Sequence, residues 1–159
     1  MLRDMLADEF LGSLTLPFPI ICLRLVGAAL LCGVIGFERE MRDRAAGLRT
    51  HMLVGLAAAV FAVLTLHLVE EFGHRPDSVR MDPIRLIEAV TQGVAFLAAG
   101  MIVLSRGRVR NLTTGAGMWL AAAIGLAAGL GLWPVALLTA ALGFLIIGVL
   151  DRLTPNGSD

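Results

Sequence analysis

The sequence predicts an all-α, polytopic membrane protein with five transmembrane helices preceded by a short amphipathic N-terminal helix. Hydrophobic residues make up 57% of the 159-residue chain and the mean hydropathy is +0.83, which is too apolar for a water-soluble domain of this size. Charged residues are gathered between long apolar runs. Membrane-spanning strands are excluded, because an open sheet edge leaves backbone groups unsatisfied in lipid.

Residues 1–18 are predicted to form an amphipathic segment that lies on the membrane surface. Apolar side chains recur there at helical spacing, and charged side chains occupy the other side. No basic start precedes an apolar run and no small-residue cleavage site follows, so the segment is not expected to be a signal peptide. The apolar residues that recur at helical spacing are Leu2, Met5, Leu6, Phe10 and Leu14.

Five apolar runs follow, each close to the ~20 helical residues that cross a hydrocarbon core of ~30 Å. Together they form a predicted transmembrane domain over 19–150, and residues 151–159 form a short cytoplasmic tail. The predicted spans are 19–37, 51–69, 84–104, 112–131 and 133–150.

The distribution of arginine predicts the orientation of the chain. All 13 basic residues are arginine, and with the N-terminus outside, the cytoplasmic segments hold eight of them and the external segments three. Cytoplasmic loops of membrane proteins carry the excess of basic residues, so we expect the N-terminus outside and the C-terminus in the cytoplasm. The eight are Arg39, Arg42, Arg44, Arg49, Arg106, Arg108, Arg110 and Arg152.

The densest group of charges lies between the first two predicted spans. Glu38, Glu40 and Asp43 are carboxylates that could bind a hydrated Mg²⁺ ion, which prefers one or two carboxylates together with water. The surrounding arginines can neutralise all three, so a salt-bridged hinge is favoured over a metal site. We expect Glu38 to pair with Arg49, because an antiparallel hairpin brings both to the same membrane depth.

An anion site is a second interpretation of the same region. Arg49, Thr50 and His51 open the second predicted span, and Asn111, Thr113 and Thr114 open the fourth. Thr50, Asn111 and Thr113 are residue types that cap helices, and helix N-termini attract anions. Ordinary capping combined with the arginine bias of cytoplasmic loops is the favoured explanation of the pattern, and recognition of phosphate, an anionic lipid headgroup or an acidic partner surface is the alternative.

Four polar residues fall inside predicted spans, near the external side. Arg85 and Glu88 share a helix face, so we predict that they pair. Arg24 of the first span could join them, and Gln92 lies one turn deeper. Such residues are candidates for an ion path, but structural pairing is an equal alternative.

Small residues recur every four positions along two spans. These stripes predict close helix contacts, either within one chain or across a homo-oligomer, for which a dimer is favoured. The stripes are Gly117, Ala121, Gly125 and Gly129 in the fourth span, and Ala28, Cys32 and Gly36 in the first.

Several of these motifs together resemble the membrane domain of the MgtC/SapB family, from about residue 20 to 150. The chain departs from the family pattern at Ala95, Ala98 and Asn111, where glycines are usual, and we expect it to be without the soluble C-terminal domain of many members. The motifs are Gly36-x-Glu38-Arg39-Glu40, Ala46-Gly47-Leu48-Arg49-Thr50-His51, Gly93-x-x-Phe96-Leu97-x-x-Gly100, Leu112-Thr113-Thr114 and Trp119.

The resemblance implies a bacterial inner-membrane protein linked to growth at low magnesium and to survival inside host phagocytes. We expect a non-enzymatic regulator that needs no cofactor, binds no nucleic acid, and contacts lipid and another inner-membrane protein, such as ATP synthase, or an anionic ligand. The alternative is a transporter of Mg²⁺ or another cation built on the intramembrane polar residues. The expected regulatory face comprises Glu38, Arg39, Glu40, Arg49, Thr50, His51, Thr113 and Thr114.

Overall fold

A computed structural model of the protein describes residues 14–73, 82–105 and 108–150. The predicted amphipathic helix falls almost entirely on residues 1–13, and the predicted tail on 151–159, both outside the described ranges.

Within the described ranges, five α-helices confirm the predicted all-α, polytopic architecture. They are α1 (Phe18–Met41), α2 (Leu48–Gly73), α3 (Ile84–Met101), α4 (Leu112–Gly129) and α5 (Trp133–Leu145), the last continuing as a π-helical turn over Ile146–Leu150. A short antiparallel hairpin of β1 (Val103–Ser105) and β2 (Arg108–Arg110) connects α3 to α4, with Leu104 opposite Val109. Helices α1 to α4 are long and apolar enough to cross a membrane, and the apolar helix Trp133–Gly148 is shorter.

The helix ends differ from the predicted span ends at the connection between α1 and α2. Helix α1 continues four residues beyond the predicted end, to Met41, and α2 begins at Leu48, three residues before the predicted start. The connection is therefore only six residues long, and part of the charged sequence is helical. Below, residues 42–47 are called the hinge, and the end of the bundle that contains them the hinge end.

Helix α4 lies at the centre of the bundle and contacts each of the other four helices. Eleven of its 18 residues are buried, against three of the 18 in α3. Gly125 faces the backbone of Gly55 so closely that a Cβ atom would collide with the Gly55 carbonyl oxygen, and a Cβ at Gly129 would lie 2.6 Å from the Ala59 carbonyl oxygen. The predicted α4 stripe is thus a contact with α2 inside one chain.

The small-residue stripe of α1 packs into the same core. Ala28, Cys32 and Gly36 are buried, and the Cys32 thiol donates a hydrogen bond to the Ala121 carbonyl oxygen at 3.3 Å. A Cβ at Gly36 would lie 2.8 Å from the Leu48 Cα atom. Helices α1, α2 and α4 therefore form a tightly packed core, whose small residues let the backbones approach closely.

The turn between α4 and α5 is fixed by an arginine from α1. Gly131 adopts a left-handed conformation, with φ of 80°, that favours glycine. The Arg24 guanidinium donates a hydrogen bond at 2.8 Å to the carbonyl oxygen of Gly129, the last residue of α4. Arg24 thus satisfies a terminal carbonyl at the negative end of the α4 dipole.

Candidate functional site

The hinge is closed by a side chain that caps α2. The Glu40 carboxylate accepts a hydrogen bond from the Leu48 backbone N–H at 2.9 Å. A Cβ at Gly47 would collide with this carboxylate, and Asp43 takes a left-handed conformation with φ of 54°. Thr50, predicted as a capping residue, lies inside α2 instead, because the helix begins two residues earlier.

Arg39 lies beneath the hinge and is completely buried. Its guanidinium donates a hydrogen bond at 3.3 Å to the hydroxyl oxygen of Thr114, whose exposed fraction is 1%. Thr114 is the third residue of α4, so Arg39 lies against the positive end of the α4 dipole. The charge of the Arg39 guanidinium and the positive end of the α4 dipole therefore lie close together in the protein interior, and both attract an anion.

His51 is also completely buried, one turn into α2. The Gly47 carbonyl oxygen lies 2.9 Å from His51 Nδ1, and because a carbonyl can only accept, Nδ1 carries the proton of this bond. In the neutral ring, Nε2 then carries the lone pair. His51 Nε2 has no hydrogen-bond partner among the described residues.

Helix α4 approaches this unpartnered nitrogen at a glycine. A Cβ at Gly117 would lie 3.1 Å from His51 Nε2, and a Cβ at Gly36 would lie 2.9 Å from His51 Cβ. The imidazole is therefore held between α1 and α4. Leaving a buried polar atom unpaired costs about 1–3 kcal/mol, so Nε2 is a position at which a donor group of a water or ligand would be stabilised.

Glu38 pairs with Arg42, not with Arg49 as predicted from the sequence. The two form an ion pair four residues apart, and the Glu38 side chain is only 11% exposed. Arg42 also donates a hydrogen bond at 3.0 Å to the Gly148 carbonyl oxygen, which ties the hinge to the end of α5. Arg49 is exposed. The longer α1 explains the difference, because it places Glu38 and Arg42 on one helical face.

The structure thus unites part of the predicted face, which we call the hinge cluster: Glu38, Arg39, Arg42, His51 and Thr114. The Glu38 Oε2 atom is buried without a hydrogen-bond partner in the described ranges. The sequence analysis did not predict that Arg42 pairs with Glu38 or that Gly117 faces His51. The four-residue spacing from Glu38 to Arg42 could have identified the ion pair, because residues four apart share a helix face.

The N-terminus of α4 is organised differently from the sequence prediction. Asn111 occupies the position before the helix in a left-handed conformation, with φ of 63°, but makes no capping bond with its side chain. Its amide instead donates a hydrogen bond at 3.0 Å to the Met101 carbonyl oxygen, which links the two ends of the β-hairpin connection. Thr113, which is half-buried, lies within α4.

The intramembrane polar residues do not form one group. Arg24 bonds to the end of α4, as described above. Arg85, Glu88 and Gln92 are exposed along α3, and the predicted Arg85–Glu88 ion pair is absent among the described side chains. The described part of the chain also contains no group of three or more His, Cys, Asp or Glu residues placed to hold a metal ion.

The Glu38–Arg42 pair gives a direct prediction about coupling. Glu38→Gln and Arg42→Gln should each lower the melting temperature in mild detergent. The free energy of unfolding lost by the double variant should be smaller than the sum of the two single losses by about 1 kcal/mol, because the ion pair is partly shielded from water. As the matched control, Glu38→Gln combined with Arg49→Gln should be additive. Coupling to Arg49 instead of Arg42 would contradict the observed pairing.

Comparison with known proteins gives consistent matches across most of the chain. The family model described as "MgtC family" matches residues 25–155. The protein named "Putative magnesium transporter YhiD" of Escherichia coli K12 is 38% identical over 136 residues, which cover 83% of this chain and 61% of that protein.

Two proteins named "Protein MgtC" match as well. That of Brucella abortus is 44% identical over 108 residues, covering 68% of this chain and 42% of its own length. That of Salmonella typhimurium is 42% identical over 122 residues, covering 77% of this chain and 48% of its own length. The matches thus span from 42% to 61% of these three relatives. No solved structure matches the chain significantly.

Proposed function

The chain belongs to the MgtC family, and from this premise we propose that it is a non-enzymatic regulatory protein of the bacterial inner membrane that supports growth at low magnesium. Its hinge end faces the cytoplasm. Arg49 and Arg110, both exposed at that end, contact an anionic ligand or the acidic surface of a partner membrane protein. The link to magnesium rests on the family and on the printed name of the E. coli relative.

The observation that carries this proposal is the burial of Arg39, His51 and Thr114 of the hinge cluster at the same end of the bundle as the exposed arginines. Arg49 and His51 lie in the same first turn of α2, and His51 contacts α4 at Gly117. Arg39 bonds to Thr114 in the first turn of α4. A ligand that moves the first turn of α2 therefore also moves the packing of α4, the central helix. This connection suits a protein that transmits a binding event.

The packing of the bundle supports a regulator over a conduit within one chain. The described core around α4 is filled by Ala, Gly, Ile, Val, Met and Cys residues, and at the glycines the helix backbones approach to contact distance. Arg24 is engaged with the end of α4, and the polar residues of α3 lie on its exposed side. A path for a hydrated cation needs polar groups along its length, and these residues do not share one side of the core.

A cation transporter is the second candidate, favoured by one observation. Glu88 and Gln92 are exposed on α3 within a predicted span, where polar groups are costly unless they serve a function. A path built on them would run between two copies of the chain.

Ion flux into liposomes that contain only this protein distinguishes the two functions. We expect Mg²⁺ to enter no faster than into empty liposomes, because polar side chains do not line a continuous path through the described core. Robust flux that Glu88→Gln abolishes, and that Glu70→Gln at the exposed end of α2 leaves intact, would overturn the regulator proposal.

The regulatory surface is tested by growth at low magnesium of a bacterium that depends on this protein. Arg49→Glu combined with Arg110→Glu should abolish growth without lowering the amount of protein in the membrane, since both side chains are exposed. Glu70→Lys changes the charge at the other end of α2 and should leave growth unchanged. Normal growth of the double variant would show that these arginines are not the contact surface.

A further inference from the structure

Helix α3 carries a polar face that points away from its own bundle. Its three buried residues, Val90, Val94 and Ala98, form the side that packs against α4, and α3 contacts α2 only lightly. At ~100° per residue, Gln92 lies ~160° around the helix from Val94. The polar side chains of α3 therefore lie opposite its packed side, where a single chain in a membrane would expose them to lipid.

Five of the exposed residues on this side of α3 follow a heptad spacing. Their intervals are three, four, three and four residues, the pattern of positions that meet at the seam of two paired helices. Two charges come first, then an amide, then two small residues. These five residues, all exposed and called the α3 seam below, are Arg85, Glu88, Gln92, Ala95 and Ala99.

We propose that the α3 seam pairs with the α3 seam of a second copy of this chain, about a twofold axis along the membrane normal. Viewed along the helix, Arg85 lies ~20° to one side of Gln92 and Glu88 ~40° to the other. A twofold rotation about this axis places the arginine side of each helix against the glutamate side of the other. Each Arg85 then pairs with Glu88 of the second copy, so the seam is complementary to itself.

The deeper part of the seam fits the same arrangement. An amide carries both donors and an acceptor, so the two Gln92 side chains can bond to each other at the axis. Ala95 and Ala99 have side chains small enough for the two backbones to approach closely. A lipid acyl chain on this face would leave Glu88 and Gln92 without partners, which is why we commit to a second copy. This inference does not depend on the proposed function.

Disulfide cross-linking of single cysteines tests the seam in native membranes. The native Cys22 and Cys32 are first replaced by serine and alanine, and cysteine is then scanned through α3. Cross-linked dimer should peak at 88, 92, 95 and 99. The yield there should be at least fivefold that of Leu97→Cys, a control that is half-exposed on a different side of α3. Equal yields, or peaks at 86, 93 and 97, would overturn the proposal.

Charge reversal provides an independent test that does not use cysteine. Energy transfer between labelled copies in liposomes should fall about tenfold for Arg85→Glu alone or Glu88→Arg alone, because each brings like charges together. The double reversal should recover most of the transfer. Single reversals without effect, or a double reversal that loses the transfer of both singles, would overturn the pairing and assign the seam to lipid or to another protein.

Discussion

Gly125→Leu should separate α4 from α2 and destabilise the bundle by about 3 kcal/mol or more. Position 125 faces backbone atoms of Gly55, so no side chain can rotate away to make room. Overpacking usually costs about 1–3 kcal/mol where neighbours can adjust, and two helix backbones adjust less readily. Thermal unfolding in mild detergent, followed by circular dichroism, measures the loss as a lower melting temperature.

The control for this substitution is a glycine of α3. A Cβ at Gly93 meets nothing within 4 Å, so Gly93→Ala should leave the melting temperature unchanged or raise it, as alanine favours a helix over glycine by about 1 kcal/mol. Gly125→Ala should give an intermediate loss, which keeps the test usable if the leucine variant does not accumulate. Unchanged melting of both position-125 variants would mean that the α4 stripe is not a close contact.

The stripe shows what sequence periodicity can and cannot predict. Four-residue spacing of small residues indicated that α4 makes a close contact, and this is confirmed. The spacing did not indicate the partner, because the first and second spans both carry small residues at the same spacing, and Gly55 and Ala59 of the second are the ones that face α4. Whether such a stripe packs inside a chain or between chains depends on how the helices are arranged, which no single helix encodes.

The sequence predicted that a charged connection joins the first two spans, but the predicted ion-pair partner of Glu38 was wrong. Charge density located it, because charges are costly in hydrocarbon. The assignment of Glu38 to Arg49 assumed that the first span ends at 37, where the apolar run ends. Hydrogen bonding continues the helix to Met41, since charged residues at a membrane surface favour helices as well as apolar ones do. Four further helical residues place Arg42, not Arg49, beside Glu38.

The buried part of the cluster was less accessible from sequence. Arg39 and His51 belonged to the predicted face, but a charged residue at a span end is normally expected to reach water. The complete burial of His51 follows from Gly36 and Gly117, where α1 and α4 approach the imidazole closely. A glycine in the sequence does not indicate which side chain of another helix packs against it.

The two buried or half-buried arginines at the ends of α4 should respond to the same substitution in opposite ways. Arg24 bonds to Gly129 at the C-terminus of α4, where the helix dipole stabilises a cation. Arg39 lies at the N-terminus, where the dipole repels one. Methionine fills a similar volume without charge, so Arg24→Met and Arg39→Met compare these two positions directly.

We expect Arg24→Met to lower stability by about 1–2 kcal/mol, because it removes a favourable dipole interaction and leaves a terminal carbonyl unsatisfied. Arg39→Met should leave stability unchanged or raise it, since it removes a buried cation that the α4 dipole repels, and this gain offsets the lost hydrogen bond to Thr114. Growth at low magnesium should show the reverse order. Arg39→Met should fail to support growth at normal protein levels, whereas Arg24→Met should support it in proportion to the folded protein present.

This comparison separates a functional arginine from a structural one, because the α4 dipole stabilises a cation at the position of Arg24 and repels one at the position of Arg39. A large loss of stability in Arg39→Met would show that Arg39 holds the fold together, and the hinge cluster would then be structural. Full growth with Arg39→Met would remove the cluster from the regulatory mechanism even if stability rose as expected. Only a stable variant that cannot support growth agrees with the proposal that the buried cluster transmits binding at the exposed arginines to α4.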